Sequence, residues 1–145
     1  MIQLSRKSLM ALEAVLDVAL HARPDPVQAR DITARQGVPQ RYLEQIMQAL
    51  VRAGVLRGVR GPRGGYRLAR ERRRISVAEI FHIIETLDGE TASPCSASDL
   101  NEIVIAPFHD RLQSALTQAI GDTTIADLCD QIMPARGGTE TDFTI

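Results

Sequence analysis

The residues with chemistry to offer are concentrated in two short stretches. One is Gln40-Arg41-Tyr42-Leu43-Glu44-Gln45, at the start of an amphipathic segment. Helical periodicity turns Leu43 inward and leaves Gln40, Arg41, Glu44 and Gln45 around an exposed N-terminal end. Glutamine can pair with adenine, arginine with guanine, and glutamate can accept from the cytosine amino group. The other stretch is Arg57-Gly58-Val59-Arg60-Gly61-Pro62-Arg63-Gly64-Gly65-Tyr66-Arg67, four arginines around a Gly/Pro tip. Guanidinium groups neutralise phosphates and are drawn into narrow minor grooves. A loop that cradles a nucleotide phosphate would carry Gly-Lys-Ser/Thr and feed a strand-helix unit, and neither is present. Together the two stretches predict a double-stranded DNA reader, to which Arg6 and Lys7 at the start of the first helix add positive charge.

Catalysis is poorly provided for. His21, His82 and His109 are scattered, and no Cys/His, Ser/His/Asp or paired-carboxylate arrangement stands at an informative spacing. The expectation is a binding protein, not an enzyme.

The elements that must position these residues follow from capping and periodicity. Ser5 caps a first helix to about His21, with Leu9, Leu12, Leu16 and Leu20 on one face. Pro24-Asp25-Pro26 breaks the chain. A short helix over Ala29 to Gln36 places Ile32 inward, and Gly37-Val38-Pro39 makes a tight turn, with Pro39 suited to the first turn of the next helix. That helix runs to about Ala53, burying Leu43, Ile46, Met47, Leu50 and Val51 and ending at Gly54. Two short helices around a Gly-containing turn outline a helix-turn-helix. Val55, Val59, Tyr66 and Leu68 then lie in extended runs flanking the Gly/Pro loop, the pattern of a β-hairpin.

Beyond the basic run Arg70 to Arg74, Ser76 and Glu79 form a capping box for a helix carrying Ile80, Ile83 and Ile84. After a polar linker, Leu100, Val104, Phe108, Leu112, Leu116 and Ile120 recur every four residues along a long helix that Pro107 is placed to kink. Thr124 and Asp127 mark a further helix start. The fold class expected is mainly α with a small β-hairpin, a winged helix-turn-helix followed by a long dimerisation helix. The domain plan is 1–87 for DNA binding, 88–98 for a linker or sensor loop, 99–133 for dimerisation and 134–145 for a flexible tail.

Composition agrees with this division. Residues 1–75 hold 15 of the 17 basic and 6 of the 18 acidic residues, a surplus of nine positive charges. The remaining 70 residues hold 2 basic and 12 acidic ones, so the near-neutral total conceals a basic front half and an acidic back half. Such asymmetry suits one part that meets a polyanion and another that does not. No apolar run approaches the ~20 residues that span a bilayer. The first residues lack the pattern of a signal peptide, and two cysteines give no disulfide framework. A cytoplasmic protein without membrane association is expected.

The sequence resembles the BadM/IscR winged-helix regulators, also called the Rrf-two family. The resemblance rests on Leu16-Asp17-Val18-Ala19, Arg35-Gln36-Gly37-Val38, Tyr42-Leu43-Glu44-Gln45 and, most specifically, Arg60-Gly61-Pro62-Arg63-Gly64-Gly65-Tyr66-Arg67-Leu68. The last is close to the family's Arg-Gly-Pro-Gly-Gly-Gly-Tyr-x-Leu wing, with Arg63 in place of a glycine. It covers residues 4 to about 87 strongly and the long helix loosely. It implies a homodimer on a near-palindromic operator, most commonly a repressor, with the long helices as the dimer interface. The candidate DNA contacts include Arg6, Lys7, Tyr42 and the wing residues Gly61, Pro62, Gly64 and Gly65, beside the side chains named above.

Many such regulators sense through a binuclear iron–sulphur (2Fe-2S) cluster on three closely spaced cysteines and a histidine. This chain departs from that pattern. Cys95 stands alone in the linker, Cys129 is distant, and Glu102 and Ile105 occupy the later ligand positions, with His109 out of register. A conventional site cannot be assembled from these residues. Three alternatives stay open: an unusual cluster on Cys95 with Glu13 or His109, Cys95 as a redox switch, and a cluster-independent regulator controlled by a partner such as cysteine synthase. Cys129 reads as a buried apolar residue.

Overall fold

In the computed structural model, the residues described are 5–22, 25–87 and 98–132. Helix α1 (Arg6–His21) starts where the Ser5 side chain accepts from the Ser8 amide at 3.1 Å. Its buried face is made of small residues, Ala11, Ala14, Val15, Val18 and Ala19. The stripe of leucines lies to the side of it: Leu12, Leu16 and Leu20 pack half-buried at its flank, and Leu9 is 47% exposed. Small side chains let α1 approach its neighbours closely, and three of the larger leucines pack at the edge of that contact.

Helix α2 (Ala29–Gln36) ends at Gly37, whose φ of 69° is the left-handed cap that turns the chain into α3 (Gln40–Arg52). A side chain there would be strained, which is why the turn takes glycine. Pro39 stands one residue earlier than expected, at the cap of α3. Its fixed φ of −63° serves there, and its carbonyl accepts from the Leu43 amide at 3.1 Å. Leu43, Ile46, Met47 and Leu50 project from α3 into the core, while Val51 is half-buried.

Strands β1 (Leu56–Val59) and β2 (Gly65–Leu68) pair antiparallel, with Leu56 opposite Leu68 and Val59 opposite Gly65. Val27 exchanges backbone hydrogen bonds with Tyr66 at 3.0 and 2.7 Å, adding a one-residue bridge to the hairpin. A Cβ on Gly65 would run into the Val27 carbonyl, so only glycine permits that pairing. A 3-10 turn (Arg72–Arg74) leads to α4 (Val77–Leu87), where the Ser76 hydroxyl accepts from the Glu79 amide at 3.1 Å.

A π-helical turn (Asn101–Ile105) precedes α5 (Ala106–Ile120). Pro107 sits just beyond it. Proline has no N–H to return to the preceding turn, and its ring crowds that turn, so the register widens there. The chain then re-enters the core. Thr124 and Asp127 cap a last helix, α6 (residues 125–132), reciprocally: the Thr124 amide donates to Asp127 at 2.9 Å and the Asp127 amide donates to the Thr124 hydroxyl at 3.2 Å. The Ile125 amide donates to the Ile75 carbonyl at 2.9 Å. Ile125 and Cys129 are fully buried in the same core as α1, α3 and α4. No helix among the described residues is long and apolar enough to cross a membrane.

Candidate nucleic-acid interface

The first turns of α3 present Gln40, Arg41, Tyr42 and Gln45 to solvent, with Leu43 anchored beneath them and Glu44 half-buried. Gln40 Nε2 donates to Glu44 Oε1 at 3.1 Å, one helical turn away. The two base-reading candidates are thus held together before any DNA arrives. The Lys7 ammonium lies 5.4 Å from the centroid of the Tyr42 ring, a cation–π approach that brings the start of α1 beside α3.

The wing joins the same region through its root. Tyr66 on β2 is close enough to Glu44 to feel its charge: burial pushes the phenol pKa up, and the Glu44 carboxylate adds to the shift. Gln28, at the cap of α2, reaches the Pro62 carbonyl near the wing tip at a long 3.5 Å. The tip turns tightly, with Gly61 at φ 114° and the Gly64 amide donating to the Gly61 carbonyl at 2.9 Å. Arg60, Gly61, Pro62 and Arg63 are exposed there, and a Cβ on Gly64 would collide with the Val59 carbonyl. Arg6 is exposed in the first turn of α1. The structure therefore gathers the starts of α1, α2 and α3 with the wing. Arg57 stands apart, exposed at the wing's base beside Arg67.

Sequence reasoning missed the group that ties α2 to α1. Asp17, only 3% exposed in the middle of α1, receives Arg35 Nε at 2.9 Å and Nη2 at 2.6 Å, and Gln36 Nε2 at 3.0 Å. His21 Nδ1 lies 3.0 Å from the Asp17 carbonyl oxygen and 3.4 Å from its carboxylate. Burial alone would raise the Asp17 pKa. The hydrogen bonds from Arg35 and Gln36, with the charges of Arg35 and His21, outweigh it and hold the carboxyl below its ordinary range. The available signal was an acidic residue among the apolar residues of α1.

The Rrf2 family model, described as an iron-dependent transcriptional regulator, matches residues 4–131. The chain belongs to the Rrf2 family of transcriptional regulators. These are DNA-binding regulators, not enzymes. The HTH-type transcriptional regulator IscR of Xenorhabdus nematophila is 45% identical over 83 residues, which are 57% of this chain and 51% of that protein. The IscR of Vibrio cholerae is 42% identical over 83 residues, covering 57% of this chain and 48% of the relative. This chain spans about half the length of the curated relatives it matches. Among solved structures, T. potens IscR superposes with a TM-score of 0.74 at 30% identity, covering 92% of this chain and 90% of that one. CymR of B. subtilis, the global cysteine regulator, shares the fold at a TM-score of 0.70 and 24% identity, over 90% and 98% of the two chains. The mainly helical winged helix-turn-helix read from the sequence is thus the fold of this family.

The described residues do not assemble a cluster site. Among them no three His, Cys, Asp or Glu side chains stand together as metal ligands. Cys129 is fully buried in apolar surroundings, and burial pushes its thiol pKa up, away from the thiolate a cluster needs. Glu13 and Glu102 are exposed and His109 is half-buried on α5. Cys95, most of the 88–98 linker and the 134–145 tail lie outside the described residues.

Proposed function

We propose that the chain acts as a homodimer on a near-palindromic operator, with the α5 helices as the interface, and that it represses by occupying the promoter. The observation that carries this reading is the bare apolar face of the π turn and α5. Leu100, Ile103, Val104, Ile105, Phe108 and Leu112 are 47–74% exposed in the single chain. Apolar side chains left in water along a helix call for a partner, and a second copy of the same helix is self-complementary. Leu116 and Ile120 are already half-buried and continue the stripe.

On each half-site, α3 enters the major groove, where Gln40, Arg41, Tyr42, Glu44 and Gln45 meet base edges and flanking phosphates. Arg60 and Arg63, carried by the Gly61-Pro62 and Gly64-Gly65 turn, lie on the backbone or in the minor groove, and Arg6 and Lys7 add phosphate contacts. Repression needs nothing beyond occupancy of the site. Control by a partner enzyme such as cysteine synthase fits a chain whose sequence lacks three closely spaced cysteines. A cluster using Cys95 with Glu13 or His109 is the competing account of the signal, and anaerobic protein assayed for iron and acid-labile sulphide separates the two.

The dimer is tested by Phe108→Asp with Leu112→Asp, two positions open enough for the chain to fold without them. Sedimentation velocity should show a monomer with the helical content of the parent, and operator affinity should fall by at least about tenfold as the second half-site contact is lost. A double variant that remains dimeric overturns the proposed interface.

A further inference from the structure

A cleft of about 790 Å³ opens at the base of the wing, between the end of α1, the hairpin and the 3-10 turn. Its volume is in the range of small-molecule sites. Val18, Ala19 and Leu68 give it an apolar floor, and Arg57, Arg67, Arg72 and Arg73 stand around it with a single carboxylate, Glu71, in the lining. Arg70 also borders it, but its guanidinium is engaged with Gly54, Arg74 and Glu79.

Part of this basic cluster has a structural explanation. Arg67 Nη1 donates to the Ala22 carbonyl at 3.1 Å and Arg72 Nη2 to the Ala19 carbonyl at 2.7 Å, so both satisfy the carbonyl end of α1. Arg73 pairs with Glu71 at 2.8 Å on the surface. These bonds do not account for Arg57. It stands directly opposite Arg67 in the hairpin register, and like charges facing one another across a strand pair are destabilising. No carboxylate among the described residues ion-pairs with Arg57. Nor does the cleft extend the face formed by α3. Lys7 touches Tyr42 at one end of α1, whereas Ala19 lies about 18 Å further along that helix at its rise of about 1.5 Å per residue.

We propose that this cleft is a binding site for a small phosphate-bearing molecule with at least two negative charges. Phosphate oxygens point in several directions and can accept from guanidinium groups arriving from β1, β2 and the 3-10 turn together, whereas a lone carboxylate is filled by one bidentate arginine. The apolar floor takes the uncharged part of the ligand. Binding gives Arg57 an anionic partner and ties the base of the wing to the end of α1.

Isothermal titration of the full chain with inorganic pyrophosphate, at about 150 mM salt where diffuse surface charge is screened, reads the site directly. One saturable site per chain is expected, weakened about tenfold by Arg57→Gln or by Arg73→Gln, as for a lost charge-assisted hydrogen bond. Arg63→Gln, at the wing tip, should bind pyrophosphate as the parent does. Both cleft side chains are exposed, so neither substitution should lower the thermal unfolding temperature in the absence of pyrophosphate. The DNA arm distinguishes a ligand site from an extension of the DNA surface: Arg73→Gln should keep the parent's affinity for duplex DNA. Absence of saturable binding, affinity indifferent to both cleft substitutions, or loss of DNA affinity in Arg73→Gln would overturn the proposal.

Discussion

Two kinds of side chain share the proposed DNA face, and they should fail differently. Glu44 is half-buried, hydrogen-bonded to Gln40 and close to Tyr66, so it is held in one place. Arg63 is exposed on a turn with space around it. A fixed group can discriminate between base edges, at about 1–3 kcal/mol per contact, whereas a mobile cation mainly exchanges with counterions. Glu44→Ala should therefore relax preference at one or two base pairs and leave the salt dependence unchanged. Arg63→Ala should weaken all sequences alike and flatten the slope of log affinity against log salt by about one. Titrations over several salt concentrations decide between them, and the reverse pattern would refute the division of roles. Asp17 acts at the same scale on stability. Its pKa is depressed in the folded chain, so its contribution is complete above the ordinary carboxylate value of 3.8 and disappears as pH falls through the lower folded value. Asp17→Asn should cost about 1–3 kcal/mol at neutral pH by urea unfolding. The gap from the parent should close in acid below that value.

At the scale of elements, local rules carried far. The Ser5, Ser76 and Thr124 caps, the Gly37 turn and the hairpin around Gly61-Pro62 are determined by neighbouring residues, and each appears where its neighbours place it. What could not be read depends on residues distant in sequence. The clamp from Arg35 and Gln36 to Asp17 joins two helices, and no periodicity announces it. The inward face of α1 went to alanines and valines because neighbouring elements press close, a fact about tertiary packing. Helix α6 is the largest case. Its residues follow the long α5, yet Ile125 and Cys129 complete the core shared by α1, α3 and α4. Ile125→Ala should therefore destabilise the whole helix-turn-helix, by about 2–5 kcal/mol in chemical unfolding. Loss of α6 alone, with the rest unfolding as in the parent, would show the two parts to be independent.

At the scale of the whole molecule, charge and apolar surface are segregated. The basic half carries α3 and the wing, and the acidic half carries the exposed apolar face of α5. The candidate DNA residues were legible because recognition chemistry needs particular side chains at a helix start and on a glycine turn. The signal was not, because Cys95 stands without the neighbouring cysteines that would mark a cluster site in sequence. A dimer built on α5 has two-fold symmetry, and its DNA must share that symmetry. The most direct test is selection of binding sites from a random duplex pool, run in parallel with the parent and with Glu44→Ala. The parent should enrich an inverted repeat, with half-site centres about one helical turn apart or a multiple of it. Glu44→Ala should lose preference at the same position in both halves. Enrichment of a single unrepeated site, or a repeat that Glu44→Ala leaves untouched, would contradict a symmetric dimer reading DNA through α3.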